Sequence, residues 1–111
     1  MATKKEYVEW VVATLKEDFP DINYRPMMSE YVVYINQKPL ITVCDDTVFV
    51  KIHDNIIALM CDAEVGYPYE NARLHYKLDL SDKETAVLVL TELEKVTPLK
   101  KTVGKIKKIV T

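Results

Sequence analysis

The spacing of apolar side chains divides the first half of the chain into one helix and four strands. Apolar residues recur on one helical face from Tyr7 to Leu15, after a Thr3-x-x-Glu6 pattern typical of a helix N-terminus. Pro20 ends this helix, because proline disfavours helical geometry in the residue before it. Alternating apolar, β-branched and aromatic residues then predict strands over 22–27, 30–35, 40–44 and 47–52. Short polar turns join the last three of these strands into an antiparallel meander.

The second half of the chain predicts a short helix, one more strand and a long final helix. Asp54 can cap the short helix, whose apolar residues are Ile56, Ile57, Leu59 and Met60. A loop around 66–69 precedes a strand over 73–78. Ser81-x-x-Glu84 is a second capping box, and the helix after it carries an apolar stripe formed by Ala86, Val89, Leu90, Leu93 and Val96. The predicted fold is a two-layer α+β domain of order α-β-β-β-β-α-β-α, in which helices cover an antiparallel sheet.

Length and charge indicate one acidic domain followed by a basic tail. The chain has 111 residues, and we assign 1–98 to a single domain and 99–111 to a tail with helical spacing of its apolar residues. The first 99 residues contain ten basic and seventeen acidic side chains, a net charge of −7. The tail contains no acid and five lysines: Lys100, Lys101, Lys105, Lys107 and Lys108. These lysines are candidates for nucleic-acid or anionic-membrane contact, and the alternatives are a helix docked on the acidic body or a solvated end.

The sequence lacks the patterns of membrane segments, metal sites and common catalytic centres. Its apolar runs fall short of the roughly 20 residues that a spanning helix needs, and the N-terminus lacks an apolar signal core, so we expect a cytoplasmic protein. Cys44 and Cys61 are isolated and predicted to be free thiols that act as small core residues. Asp45 and Asp46 are predicted to form a hairpin turn rather than a metal site, since neighbouring strand side chains point apart. No metal-ligand spacing, phosphate loop or G-x-S-x-G motif occurs, and we expect no enzymatic activity, cofactor or metal.

One string of residues is similar to a known family. Residues 24–34, YRPMMSEYVVY, resemble the Y-R-x-M-M-G-E-Y-x-x-Y signature of the N-terminal domain of TfoX/Sxy-type competence regulators. Residues 36–38 resemble that family's N-G-K turn, 45–51 its D-D-x-x-x-x-K stretch, and 68–73 its P-Y-x-G-A-K loop. The similarity covers about residues 4–96. Ser29, Gln37 and Asn71 stand where the family usually has glycine.

The resemblance implies a secretion-chaperone-like fold and a non-enzymatic regulatory module that binds a transcription-related protein. The MmcQ/YjbR group shares this type of fold and is the second choice, although its W-G-x-P segment is missing after the first helix. Larger TfoX-type proteins carry a second, helical domain that is not present in these 111 residues. The alternative functions are nucleic-acid binding through the lysine-rich tail and small-molecule binding on the same scaffold.

Six residues are candidates for partner binding: Arg25, Glu30, Tyr31, Tyr34, Tyr67 and Tyr69. The charged pair either binds a partner or forms an ion pair that fixes the register of the first two strands. Tyrosines are enriched at protein interfaces, but they are also common on ordinary sheet surfaces. Tyr31 and Tyr34 point to opposite faces of a regular strand, so we expect one of them on an exposed or intermolecular face. Exposed sheet edges also favour a homodimer.

Overall fold

Six antiparallel strands and two helices form the described part of the chain. The structure is a computed structural model that describes residues 4–27 and 30–98. The helices are α1 (Lys5–Leu15) and α2 (Lys83–Val96). The strands are β1 (Ile22–Met27), β2 (Glu30–Ile35), β3 (Lys38–Cys44), β4 (Thr47–Lys51), β5 (Val65–Gly66) and β6 (His75–Lys77). They form one sheet in the order β1-β2-β3-β4-β6-β5, and each neighbouring pair is antiparallel. The predicted α+β class with an antiparallel sheet is confirmed.

The core lies between the helices and one face of the sheet. Helix α1 buries Val8, Val11 and Leu15, while α2 buries Ala86, Val89, Leu90 and Leu93, as their spacing predicts. These side chains share a cluster with every second residue of the central strands, including Val33, Val43, Val48 and Val50. The intervening strand residues point to the opposite face of the sheet. We call this the second face, and the strand pairing places on it Arg25, Glu30, Val32, Tyr34, Thr42, Cys44, Phe49, His75 and Lys77.

Two tight hairpin turns fix the register of the meander. Asn36 and Gln37 link β2 to β3 with φ angles of 52° and 67°, and Asp45 and Asp46 link β3 to β4 with φ angles of 54° each. Left-handed geometry at both turn residues matches the twist of antiparallel strands. Asn71 is also left-handed, with a φ of 69°. Gln37 and Asn71 therefore adopt the backbone geometry that glycine favours, and the predicted hairpin turns are confirmed.

A bulge in β3 lets two adjacent apolar residues enter the core. Val33 pairs with Ile41 but Tyr34 pairs with Pro39, so Leu40 is an extra residue in β3. Both Leu40 and Ile41 are buried, with 5% and 1% of their surfaces exposed. The bulge thus explains why strict alternation fails at this point.

The segment between β4 and β5 differs from the prediction of an α-helix. It forms only a 3-10 turn, Asp54–Ile56, followed by hydrogen-bonded turns. Ile56 and Met60 are buried, whereas Ile57 and Leu59 are 45% and 37% exposed. The predicted short helix is therefore present only as one 3-10 turn, and its α-helical type is wrong, because the four apolar residues do not share one buried face. The two-residue strand β5 was not predicted, and β6 is shorter than the predicted strand over 73–78.

The N-terminus of α2 also differs from the prediction in detail. Asp82 is the N-cap, and its carboxylate accepts a hydrogen bond from the Thr85 N–H at 3.4 Å. Ser81 does not cap this helix, because its hydroxyl donates to Asp79 at 2.6 Å. Val96, predicted to be in the buried stripe, is 40% exposed at the last position of the helix.

Some sequence predictions fall outside the described residues. These are the helix cap at Thr3 and the tail over 99–111, including its five lysines. Within residues 4–27 and 30–98, none of the helices combines the length and the apolar character needed to cross a membrane.

Candidate functional site

The loop that follows β5 folds back over the second face. Pro68 in this loop is buried, and its carbonyl accepts a hydrogen bond from the thiol of Cys44 on β3. The loop then reverses direction, since the Ala72 N–H donates to the Tyr69 carbonyl at 3.1 Å and Asn71 is left-handed. A segment distant in sequence is thereby fixed against the middle of the sheet.

Gly66, the last residue of β5, precedes this loop and pairs with His75 in the sheet. A Cβ atom at this position would lie 3.0 Å from Cε of Lys77 and 3.4 Å from the ring of Phe49. Since Cε of Lys77 is near the end of a flexible side chain, a small side chain at position 66 would displace Lys77 rather than the backbone.

A concave surface lies between the loop and the second face, with a cavity volume of about 470 Å³. We call it the second-face cleft. Its floor is formed by the buried residues Cys44, Phe49 and Pro68. Its rim includes Tyr67 and Tyr69, which are 66% and 47% exposed, together with Glu30, Asp45, Glu70 and Lys77.

The rim of the second-face cleft is predominantly acidic. Three carboxylates, from Glu30, Asp45 and Glu70, share the rim with one ammonium group, that of Lys77. Nζ of Lys77 also lies 3.6 Å from a carboxylate oxygen of Glu64. This ion pair partly offsets the positive charge that Lys77 brings to the cleft. An acidic rim with aromatic side chains favours a positively charged ligand over an anion.

The thiol of Cys44 is held in its protonated form. Burial raises the pKa of Cys44 to about 12, and the nearby carboxylates of Glu30 and Asp45 add to the effect. The thiolate is the nucleophilic form of cysteine, so this side chain is unreactive near neutral pH. Cys44 therefore contributes to the floor of the cleft rather than to nucleophilic chemistry.

Arg25, Glu30 and Tyr34 lie on the second face, as a common binding surface requires. The register pairs Arg25 with Val32 and Met27 with Glu30, so both charged residues point to the same side of the sheet. The Arg25 guanidinium lies 5.8 Å from the centre of the Tyr34 ring, and Tyr34 is only 9% exposed. Tyr34 is thus covered on the second face, although one of Tyr31 and Tyr34 was expected on an exposed or intermolecular face.

Tyr31 lies on the side of the sheet that faces the helices, apart from the other candidates. Its ring meets that of Tyr24 edge to face, with centroids 5.6 Å apart. The Tyr24 hydroxyl donates to Glu9 on α1 at 3.3 Å. The predicted separation of Tyr31 and Tyr34 onto opposite faces is confirmed. Tyr31 does not join the second-face cleft.

Several residues of the cleft were not candidates from the sequence. Cys44 and Cys61 were expected to be small core residues, which is wrong for the exposed Cys61. Phe49, Glu70 and Lys77 were not singled out. The alternation of side chains along β3 and β4 places Cys44 and Phe49 on the second face, but it cannot show that a loop will cover them. The sequence feature that could have indicated this loop is the Gly66–Tyr69 segment, in which glycine and proline flank Tyr67, a tyrosine that is exposed in the structure.

His75 has a structural role beside the cleft. It is 6% exposed, and its Nδ1–H donates to the Arg73 carbonyl at 2.7 Å. Its ring lies edge-on to Phe49, with centroids 6.4 Å apart. In the described residues, no three histidine, cysteine or acidic side chains are grouped so that they could hold a metal ion.

No family model, curated protein or solved structure matches the chain. The similarity to TfoX-type domains therefore rests on the sequence strings given above and stays a prediction.

Proposed function

We propose that this domain is a non-enzymatic regulatory module that binds a protein partner through the second-face cleft. The observation that carries the proposal is the pair of exposed tyrosines on the rim of a concave, acidic surface. Tyr67 and Tyr69 are 66% and 47% exposed, although both adjoin the buried residue Pro68. Large aromatic side chains held by a rigid neighbour supply contact area with little loss of conformational entropy.

The chemistry of the cleft suggests which group of the partner enters it. A lysine or arginine side chain can place its charge between the carboxylates of Glu30 and Glu70 and its stem against the tyrosine rings. The protonated Cys44 thiol supports a binding role for this site rather than a catalytic one. The resemblance to TfoX-type domains adds the proposal that the partner belongs to the transcription machinery.

The test is a pull-down with the tagged full-length protein from extract of its own cells, read by mass spectrometry with and without nuclease. The variant is the double substitution Tyr67→Ala and Tyr69→Ala. Trp10→Ala is the control, because Trp10 is a 50% exposed aromatic residue on α1. Loss of two interface tyrosines should lower recovery of the specific partner by about tenfold or more.

Three outcomes separate the candidate functions. A nuclease-resistant partner that is lost with the tyrosine variant and retained with Trp10→Ala supports the proposal. Equal recovery by the wild type and the tyrosine variant contradicts it. Recovery that disappears with nuclease and falls steeply with salt indicates nucleic-acid binding, the alternative based on the tail lysines.

A further inference from the structure

We propose that the basic tail of this chain, residues 99–111, docks in an acid-rimmed groove beside the N-terminal end of α2. This α2 groove is separate from the tyrosine rim of the second-face cleft. It has a cavity volume of about 680 Å³ and is lined by residues 59–64 and 77–79 together with Asp82 and Thr85.

The floor of the α2 groove is apolar. Met60 and Leu78 lie at its base and are 4% and 6% exposed. Leu59 in its wall is 37% exposed, and Ile57 and Val65 nearby in the chain are 45% and 46% exposed. Leu59 together with the buried floor gives the groove an apolar surface on which apolar side chains can dock.

The rim of the α2 groove is strongly acidic. Four acidic residues line it: Asp62, Glu64, Asp79 and Asp82. In the part of the chain that the structure describes, Lys77 is the one basic residue in the lining of the groove. The hydroxyl and N–H of Ser81 both donate to Asp79, which lowers the pKa of its carboxyl group and keeps it ionised. The groove therefore favours an occupant with positive charges around apolar side chains.

The tail has the matching composition. Leu99, Val103, Ile106 and Val110 recur every three or four residues, and the five lysines stand between them with no acidic residue. The rest of the chain has a net charge of −7, so attraction between the two parts acts over the whole surface as well as in the groove. The second-face cleft fits the tail less well, because no leucine, isoleucine, valine or methionine among the described residues lines it, whereas Leu59, Met60 and Leu78 line the α2 groove.

The length of the tail is sufficient to reach the groove. The described chain ends at Pro98, just past the C-terminal end of α2, whereas Asp82 and Thr85 lie at its N-terminal end. A helix rises about 1.5 Å per residue, so Thr85 is roughly 20 Å back along α2 from Pro98. An extended chain spans up to about 3.5 Å per residue, and Ile106 can therefore reach this end of α2.

Cys61 provides a probe for the test in the full-length protein. It is exposed and lines the groove, whereas Cys44 is buried with a pKa of about 12, so a thiol-reactive spin label should attach to Cys61 selectively. Cys61→Ser is the labelling control and should take up no label. The measurement is the loss of NMR peak intensity at the tail amides, compared between the oxidised and reduced spin label.

The expected result is that amides around Ile106 lose most of their intensity at low salt. The loss should be relieved at about 1 M salt, where the screening length falls to about 3 Å. Asp62→Lys should also relieve it, because this variant reverses one charge on the groove rim. Glu70→Lys is the matched control, since it makes the same change in the second-face cleft and should leave the effect unchanged.

Other results overturn the proposal. Tail amides that keep full intensity at low salt show that the tail does not dock near Cys61. Relief by Glu70→Lys but not by Asp62→Lys places the tail in the second-face cleft instead. A further sample mixes spin-labelled protein with isotope-enriched protein that carries no spin label, and only the second is observed. If its tail amides lose as much intensity as those of the spin-labelled protein, the tail docks on a second copy, which contradicts docking within one chain. The Tyr67→Ala and Tyr69→Ala double variant separates the two proposals, because it should abolish partner recovery and leave the tail effect intact.

Discussion

Cys44→Ala should reduce the loss of unfolding free energy that this fold suffers at alkaline pH. The Cys44 thiol is buried beneath Pro68 and faces the carboxylate of Glu30, so its pKa rises from 9.0 to about 12. Below pH 9 the thiol is protonated in both the folded and the unfolded chain. Between pH 9 and 12 the unfolded chain releases the proton while the folded chain keeps it. The free energy of unfolding of the wild type therefore falls as the pH rises through this window.

The size of the effect follows from the shift in pKa. Each pH unit above the unfolded pKa of 9.0 lowers the free energy of unfolding by up to about 1.4 kcal/mol, until the folded pKa is reached. Raising the pH from about 8 to about 10 should thus destabilise the wild type by about 1 kcal/mol through Cys44 alone. Tyr7 and Tyr24 also have raised pKa values, but they contribute equally in the wild type and the variant.

The assay is urea unfolding under reducing conditions at these two pH values, followed by far-ultraviolet circular dichroism. The quantity of interest is the loss of unfolding free energy between the two pH values, compared among wild type, Cys44→Ala and Cys61→Ala. Cys61 is exposed, so its removal should leave the alkaline loss unchanged. Cys44→Ala should lose about 1 kcal/mol less than the wild type. An equal loss in all three proteins would refute the reasoning that links burial of Cys44 to its protonation.

Three further predictions concern stability and are measured by urea unfolding near neutral pH. Leu90→Ala should destabilise the fold by about 3 kcal/mol, because Leu90 has no exposed surface, whereas Leu88→Ala, at a 50% exposed position of the same helix, should change stability by less than about 0.5 kcal/mol. Asp82→Ala should cost about 1 kcal/mol through loss of the α2 cap, and a larger effect of Ser81→Ala would contradict this assignment of the cap. Gln37→Gly should be neutral or stabilise by up to about 1 kcal/mol, because Gln37 has a φ of 67°; a clear loss would show that its side chain matters.

The regular elements were predictable because their apolar side chains recur at the clear spacing of a strand or a helix. The alternation over β1 and β2 and the helical spacing of Val8, Val11 and Leu15 each specify a half-buried element without reference to the rest of the fold. The polar dipeptides Asn36–Gln37 and Asp45–Asp46 similarly mark hairpins from local backbone preference. These features depend on residues close together in the sequence.

The parts that were predicted wrongly depend on tertiary contacts. Helical spacing of Ile56, Ile57 and Met60 predicted an α-helix, but the space beside α2 accepts only Ile56 and Met60. The strand β5 has two residues, which is too short for any period to be detected. The second-face cleft exists because residues 67–74 fold back onto β3 and β4, and no local pattern indicates where a loop will dock.

The order in which the strands pair has a consequence for how the chain folds. Strands β1 to β4 each pair with their neighbour in sequence, and β2, β3 and β4 are linked by two-residue turns, so their contacts form without closing long loops. Only the pairing of β4 with β6 must wait for the residues between Lys51 and His75. During synthesis the four-stranded meander can therefore assemble early, while Val33, Val43 and Val50 are not yet covered by α2. Helix α2, the last element described, completes the burial of this apolar surface, so the nascent chain is most prone to aggregation in the interval before α2 leaves the ribosome.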